Sequence, residues 1–191
     1  YYFSADSNFF SILDFEILQG DADRAFMNPN TVVITESTAF KYFGTENPIG
    51  KSIQVNDNDI EVVAVMQDVP QNSHIKFDFL SSTTNLGFLN NPSYISFSSY
   101  TYLKLEPGTD KALIESKMVN VVEKYASGQI EENLGMSYQD YKAAGNGYVY
   151  YLQPISDIHL ISNMDAEIQP NGNILYVYIF ISIGAFILLL A

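Results

Sequence analysis

The residues that could do chemistry fall into three groups. The first is Gly44-Thr45-Glu46-Asn47-Pro48-Ile49-Gly50-Lys51-Ser52, which carries the glycines, lysine and serine of a phosphate-binding loop. Such a loop needs four residues between its glycines, a strand before it and a helix after it, so that amides at the helix N-terminus point at phosphate. Here five residues separate Gly44 from Gly50, a helical pattern precedes, and strand-like Ile53-Gln54-Val55 follows. The segment reads as a Pro/Gly turn between helix and strand. The second group is Asp57, Asp59 and Glu61, because hard cations want clustered carboxylates. The glycine and the distal bidentate glutamate of a calcium loop are missing, and Asn56-Asp57-Asn58-Asp59 has the make-up of a solvated hairpin turn. The third is His74 and His159, far apart in sequence and each without a metal-ligand partner nearby; both read as structural polar residues rather than ligands or bases. There is no Cys, which excludes disulfides, a Cys nucleophile and Cys-ligated zinc. No Gly-x-Ser-x-Gly elbow occurs, and a glycosidase carboxylate pair is defined in space, not in sequence. No catalytic, cofactor-binding or metal residue emerges, and the chain is expected not to be an enzyme.

The elements around these residues predict an α+β domain. Asp6 can cap a short helix with Phe9, Ile12 and Leu13 at i, i+3, i+4. Gln19-Gly20-Asp21 breaks that pattern, and residues 21–30, polar and with Pro29, read as a loop. Residues 31–35 (TVVIT) are a β-branched run that predicts a buried strand. A helix over 36–43 follows, with Gly44 as its C-terminal stop. Residues 52–55 and 60–66 predict a hairpin, ended by Asp68-Val69-Pro70, and 77–80 a further short strand. Residues 81–99, rich in Ser, Asn and Gly, give no assignment. Alternation over 100–105 predicts a strand, and Pro107-Gly108-Thr109-Asp110 a turn and helix cap. Residues 111–126 predict an amphipathic helix with Ile114, Met118, Val121, Val122 and Tyr125 on one face. A strand over 148–153 would complete a strand-helix-strand layer.

Charge and hydropathy place these elements. The chain has 9 Lys and Arg against 22 Asp and Glu, a formal net charge of −13, which argues against a nucleic-acid partner because nothing would neutralise phosphates. Residues 174–191 (ILYVYIFISIGAFILLLA) carry no charge. At about 1.5 Å per residue they extend roughly 27 Å, just short of a hydrocarbon core of about 30 Å, so the run reads as the start of a transmembrane helix. Tyr176 and Tyr178 suit a membrane–water interface. No Lys or Arg follows Lys142, and Asp157, Asp165 and Glu167 line the approach. Cytoplasmic flanks are enriched in Lys and Arg, so residues 1–173 are expected outside the cytoplasm. The chain starts at Tyr1 and stops inside an apolar run, so both ends are expected to be cuts in a longer protein.

Several stretches resemble the MacB-like periplasmic core domain of FtsX-like ABC-transporter permeases. They are Ala5-Asp6-Ser7-Asn8-Phe9-Phe10 with Leu18-Gln19-Gly20-Asp21; Val33-Ile34-Thr35-Glu36-Ser37, Tyr42-Phe43-Gly44 and Asn47-Pro48-Ile49-Gly50-Lys51; Asp68-Val69-Pro70-Gln71-Asn72-Ser73-His74 and Phe77-Asp78-Phe79; and Gln153-Pro154-Ile155-Ser156-Asp157-Ile158-His159-Leu160 with Pro170-Asn171-Gly172-Asn173. The resemblance implies a porter-like α/β subdomain over 1–25 and 81–173, a β-rich insert over 26–80, and a truncated transmembrane helix from 174. It implies an inner-membrane protein without catalytic residues in this domain. Its ATP hydrolysis would be done by a separate cytoplasmic ABC ATPase subunit, with a second permease copy as partner, membrane lipid around it, and room for a periplasmic adaptor or substrate protein. A membrane-anchored ligand-binding or adhesion module is the alternative from another class.

Overall fold

The computed structural model describes residues 1–190 except 56, 86–91, 98 and 163. The hairpin residue Asn56, residues 86–91 and 98 of the unassigned run 81–99, and the last apolar residue 191 lie outside the described residues. Two compact units are present, Tyr1–Asp68 with Asp78–Leu152, and Val69–Phe77 with Gln153–Ala191.

The first unit is built on one mixed sheet. Its strands are β1 (Tyr2–Ala5), β2 (Ile17–Gly20), β3 (Thr31–Thr35), β4 (Ser52–Val55), β5 (Asn58–Met66) and β6 (Phe79–Ser82). The order is β1-β6-β3-β5-β2, with β4 also on β5. β1 runs parallel to β6 and β3 parallel to β5, while the β6–β3, β5–β2 and β4–β5 pairs are antiparallel. The sheet thus takes β1 and β2 from residues 1–25 and its other strands from residues 31–82.

All five residues of β3 are buried, as its unbroken β-branched run predicts for a strand covered on both faces. Val32 and Ile34 join Ile53, Ile60, Val62 and Val65 in a core against which Ala39 and Phe43 pack from α3 (Glu36–Phe43). Val33 alternates to the opposite face. Thr35 caps α3 by accepting from Thr38 N, and Gly44 at φ 62 ends it, so the expected helix is observed with its boundaries. The expected β4–β5 hairpin is observed with a tighter turn: Val55 lies opposite Asn58, so β5 starts two residues before the strand expected at 60–66, and the turn residue Asp57 is at φ 65.

Other segments differ. α1 (Phe9–Ile12) is entered through Asp6, whose Oδ1 accepts from Asn8 N at 2.9 Å, but Asn8 is the capping position. Gln19 and Gly20 close β2 instead of breaking a pattern. The polar stretch 21–30 contains α2 (Arg24–Met27), which buries Ala25 and Phe26 and packs on β3 and β6; two apolar residues are too few to register as a period. β6 starts two residues later than the strand expected at 77–80.

The largest correction is in residues 100–153, where β6 is the last strand among the described residues. Neither 100–105 nor 148–153 joins a ladder. The expected helix is longer than predicted: α4 (Lys111–Val121), capped by Asp110 Oδ1 on Ala112 N at 2.9 Å, runs through a π turn (Val122–Ala126) into α5 (Ser127–Leu134). The wider turn of a π segment rotates the next stretch of helix about the axis. The buried stripe is Val122, Ala126 and Ile130, while Val121 and Tyr125, expected on the inner face, are exposed. Tyr94, Ile95, Tyr138, Tyr141 and Tyr148 cover that stripe, the latter two tyrosines stacked at 6.1 Å, with α6 (Tyr138–Ala143) supplying Tyr138 and Tyr141. The tyrosine at 148 that alternation assigned to a strand is therefore used as a lid on a helix.

In the second unit, α7 (Ile155–Ile158) precedes α8 (Ile174–Leu190). Every side chain of α8 is at least partly exposed, although the helix is apolar on all sides. Among the described residues no helix is long and apolar enough to cross a membrane; α8 itself has 17 residues.

One glycine is decisive for the sheet. Val63 is skipped in the β3–β5 pairing, where Val32 faces Val62 and Val33 faces Ala64. Its carbonyl instead accepts from Asp21 N at 3.0 Å. Gly20 lies against this bulge at φ 85, and a Cβ there would stand 2.2 Å from Val63 O. Gly50 also has positive φ, 80, but a Cβ there meets nothing within 4 Å. Gly50→Ala should therefore cost about 1 kcal/mol, the backbone term alone. Gly20→Ala should cost more than about 2 kcal/mol, because strain and a backbone clash add. Urea denaturation of the two variants reads the difference, and equal midpoints would refute it.

Candidate functional site

The three groups singled out by residue type are each absorbed into local structure. Lys51 pairs with the Glu46 carboxylate and stands 5.5 Å over the Phe43 ring, and that hydrogen bond and charge hold the Glu46 carboxyl below its usual value. Asn47 Oδ1 accepts from Ile49 N at 3.0 Å and from Gln19 Nε2 at 2.9 Å. A strand, β4, follows Lys51 where a phosphate-binding loop would lead into a helix. Asp57 sits in the β4–β5 turn, Asp59 lies opposite Gln54, and Glu61 accepts from Arg24 at 3.2 Å. Among the described residues no group of three or more His, Cys, Asp or Glu is placed to hold a metal ion.

The two histidines, distant in sequence, both belong to the second unit. This unit contains the feature with the most organised geometry, the base of α8. Gly172 N donates to His159 O at 2.8 Å and Ile174 N to Leu160 O at 3.3 Å. Asn171 Nδ2 donates to Ser162 O at 3.2 Å, and the Ser162 hydroxyl donates to the Glu167 carboxylate. Asn173 Oδ1 accepts from Leu175 N at 2.8 Å and its carbonyl from Tyr176 N at 3.0 Å, closing the first turn of α8. A Cβ on Gly172 would meet Leu160 Cδ2 at 3.1 Å and His159 O at 3.4 Å, so glycine permits the close return of the chain. Residues 159–162 and 171–174 are thus laced together where the chain enters an uncharged helix.

The other stretch of this unit, residues 69–77, is held by its own bonds. Lys76 Nζ donates to the carbonyls of Pro70 and Gln71, both at 2.7 Å, Ser73 N to Pro70 O at 3.0 Å, and Ile75 N to Ser73 Oγ at 3.2 Å. Ile75 and Phe77 are buried. Burial pushes the His74 imidazole below its ordinary value, and the Glu167 carboxylate opposes this. Sequence reasoning did not bring 69–77 together with 153–173; the polar, proline-marked character of both stretches carries no signal of pairing.

Residues 1–121 match the MacB-like periplasmic core domain. The chain belongs to that family. As a MacB-like domain it is an extracytoplasmic part of an ABC-transporter permease. Among solved structures it is similar to a domain of a Porphyromonas gingivalis protein assigned as a permease, at 27% identity and a TM-score of 0.54, over 63% of this chain and 57% of that one. It is also similar to the periplasmic region of MacB from Actinobacillus actinomycetemcomitans, at 16% identity and a TM-score of 0.41, over 76% and 64% of the two chains. The extracellular domain of the noncanonic ABC-type transporter YknZ from Gram-positive bacteria is 16% identical with a TM-score of 0.39, over 70% and 64%. The chain therefore spans less than two thirds of each of these relatives. No curated protein sequence matches it.

The histidine gives a test of the base of α8. With the His74 pKa depressed, the unfolded chain binds more protons as pH falls through the ordinary value of 6.5. The contribution to stability is complete above 6.5 and is lost as pH falls from there toward the folded value. A proton NMR titration should place His74 below the usual histidine range, and Glu167→Gln should lower it further by removing the opposing charge. An unchanged or raised value in Glu167→Gln would show that the carboxylate does not act on His74.

Proposed function

We propose that this MacB-like domain couples ATP hydrolysis by a cytoplasmic ABC ATPase to movement outside the inner membrane, for export, extraction or signalling, and does no chemistry of its own. The observation that carries the reading is the laced base of α8. A slack connection would absorb a helix displacement, whereas hydrogen bonds between 159–162 and 171–174 pass it on. A plain anchor has no need of such bonding.

In this reading α8 is the start of a membrane crossing. Its apolar side chains are exposed around the whole helix, a surface that lipid covers and water does not. The absence of Lys and Arg after Lys142 supports residues 1–173 lying on the periplasmic side. The partners are the ATPase subunit, a second permease copy and a periplasmic adaptor or substrate protein.

A Gly/Ser segment of about ten residues inserted after Gly172 behaves as flexible coil. In the full permease, reconstituted with its ATPase, it should leave insertion and ATP hydrolysis intact and abolish transport or signalling. Full activity in that variant would turn the reading toward a ligand-binding or adhesion module. Topology is tested separately. Cys at the exposed position Ser156 should react with a membrane-impermeant thiol reagent once the outer membrane is permeabilised; reaction only after inner-membrane lysis would reverse the assignment.

A further inference from the structure

Residues 144–147 join α6 to the tyrosine that covers the helical stripe of the first unit. Gly145 N donates to Lys142 O at 3.0 Å and Asn146 N to Tyr141 O at 3.2 Å. With Gly145 at φ 82, this is the pairing by which a left-handed glycine satisfies the last carbonyls of a helix. The chain is therefore held as far as the Asn146 nitrogen. It is held again at Tyr148, stacked on Tyr141 at 6.1 Å and on Phe97 at 5.9 Å, and packed over Val122, Ala126 and Ile130.

Between these two points lie the Asn146 side chain and Gly147, both exposed. Among the described residues neither the Asn146 carboxamide nor the Gly147 N–H has a hydrogen-bond partner. A Cβ on Gly147 would meet nothing within 4 Å, and Gly147 lacks the positive φ of Gly145. The backbone nitrogen after Asn146 is thus unhindered, unbonded and open to water.

That arrangement permits a covalent step. Base removes the Gly147 amide proton, and the nitrogen attacks Asn146 Cγ. The N–Cγ bond forms and the Cγ–Nδ2 bond breaks, and Nδ2 takes up a proton from water and departs as ammonia. Water then opens the five-membered imide at one of its two carbonyls. Opening on one side leaves an ordinary aspartate. Opening on the other leaves a β-linked aspartate, whose main chain runs through Cβ and Cγ and is longer by one methylene.

We propose that Asn146-Gly147 is a site of spontaneous modification by water, and that its β-linked product loosens the Tyr148 lid. Only Gly147 stands between the two held points. The added methylene must therefore shift Tyr148 off the stripe or break the end bond of α6. The ordinary aspartate adds charge without length.

The test uses the full permease, kept in mildly alkaline buffer and sampled by peptide mass spectrometry for conversion of amide to acid, with the β linkage scored by fragmentation. Asn171-Gly172, whose two groups are hydrogen-bonded as described above, is the internal reference. Breaking two hydrogen bonds first costs a factor of about ten or more, so Asn146 should convert at least about tenfold faster than Asn171. Gly147→Val has room for its side chain and should slow conversion at Asn146 at least about tenfold, because the branched side chain obstructs the approach to Cγ. Amide exchange over residues 122–130 should run at least about threefold faster in the β-linked population than in unreacted chain, as the cover is withdrawn. Freshly prepared Asn146→Asp should exchange like the parent. Conversion at Asn146 no faster than at Asn171, or indifferent to Gly147→Val, overturns the site. Unchanged exchange in the β-linked population overturns the loosening of the lid, as does equal acceleration in Asn146→Asp, which would assign the effect to charge.

Discussion

The sheet of the first unit depends on how β5 fills its two edges. A buried strand must pair its N–H and C=O groups on both sides. β3 takes one edge, while β4 and β2 share the other, opposite Asn58 to Glu61 and Ala64 to Met66 respectively. Two short strands placed end to end leave a joint, and Val62 and Val63 sit at it. Val62 is served by Gly50 N at 2.9 Å and Lys51 O at 2.8 Å, and Val63 by Asp21 N. The turn that resembled a nucleotide loop thus has a plain purpose: its backbone completes the ladder. Gly20 is the counterpart from the other strand, where a side chain would strike the Val63 carbonyl.

The sequence was most legible where one local rule dominated. The run 31–35, the cap and stop of α3, and the β4–β5 hairpin could be read because β-branching, a Thr cap, a positive-φ glycine and turn residues all agreed. It was least legible where pattern and partner diverged. Alternation at 148–153 is a strand signal only if an edge is at hand; here Tyr148 found the stripe Val122, Ala126, Ile130 instead. The helical face was misplaced at Val121 and Tyr125, at and within the π turn, where the period changes while periodicity analysis assumes one period throughout. The family could be read from its motifs along the chain, although the match itself ends at Val121. The laced base of α8 could not, because its bonds join atoms whose positions depend on a returning chain.

Several charged side chains of the described residues are used in local ion pairs. Lys51, Arg24, Lys111 and Lys142 each meet a carboxylate, in pairs that are all partly exposed. Such pairs contribute little to stability, because solvent screens them. They engage four of the nine Lys and Arg of a chain whose formal net charge is −13.

The bond from Gly172 to His159 has a second consequence, in the chemistry of ageing. Asn171-Gly172 is the dipeptide in which asparagine most readily cyclises, because the small following residue lets its amide nitrogen attack the side-chain carbonyl. That nitrogen here carries its hydrogen toward His159 O at 2.8 Å, and the Asn171 amide is held on Ser162 O at 3.2 Å. Neither reacting group is free to turn toward the other. The lacing at the foot of the helix therefore also disfavours succinimide formation at this dipeptide.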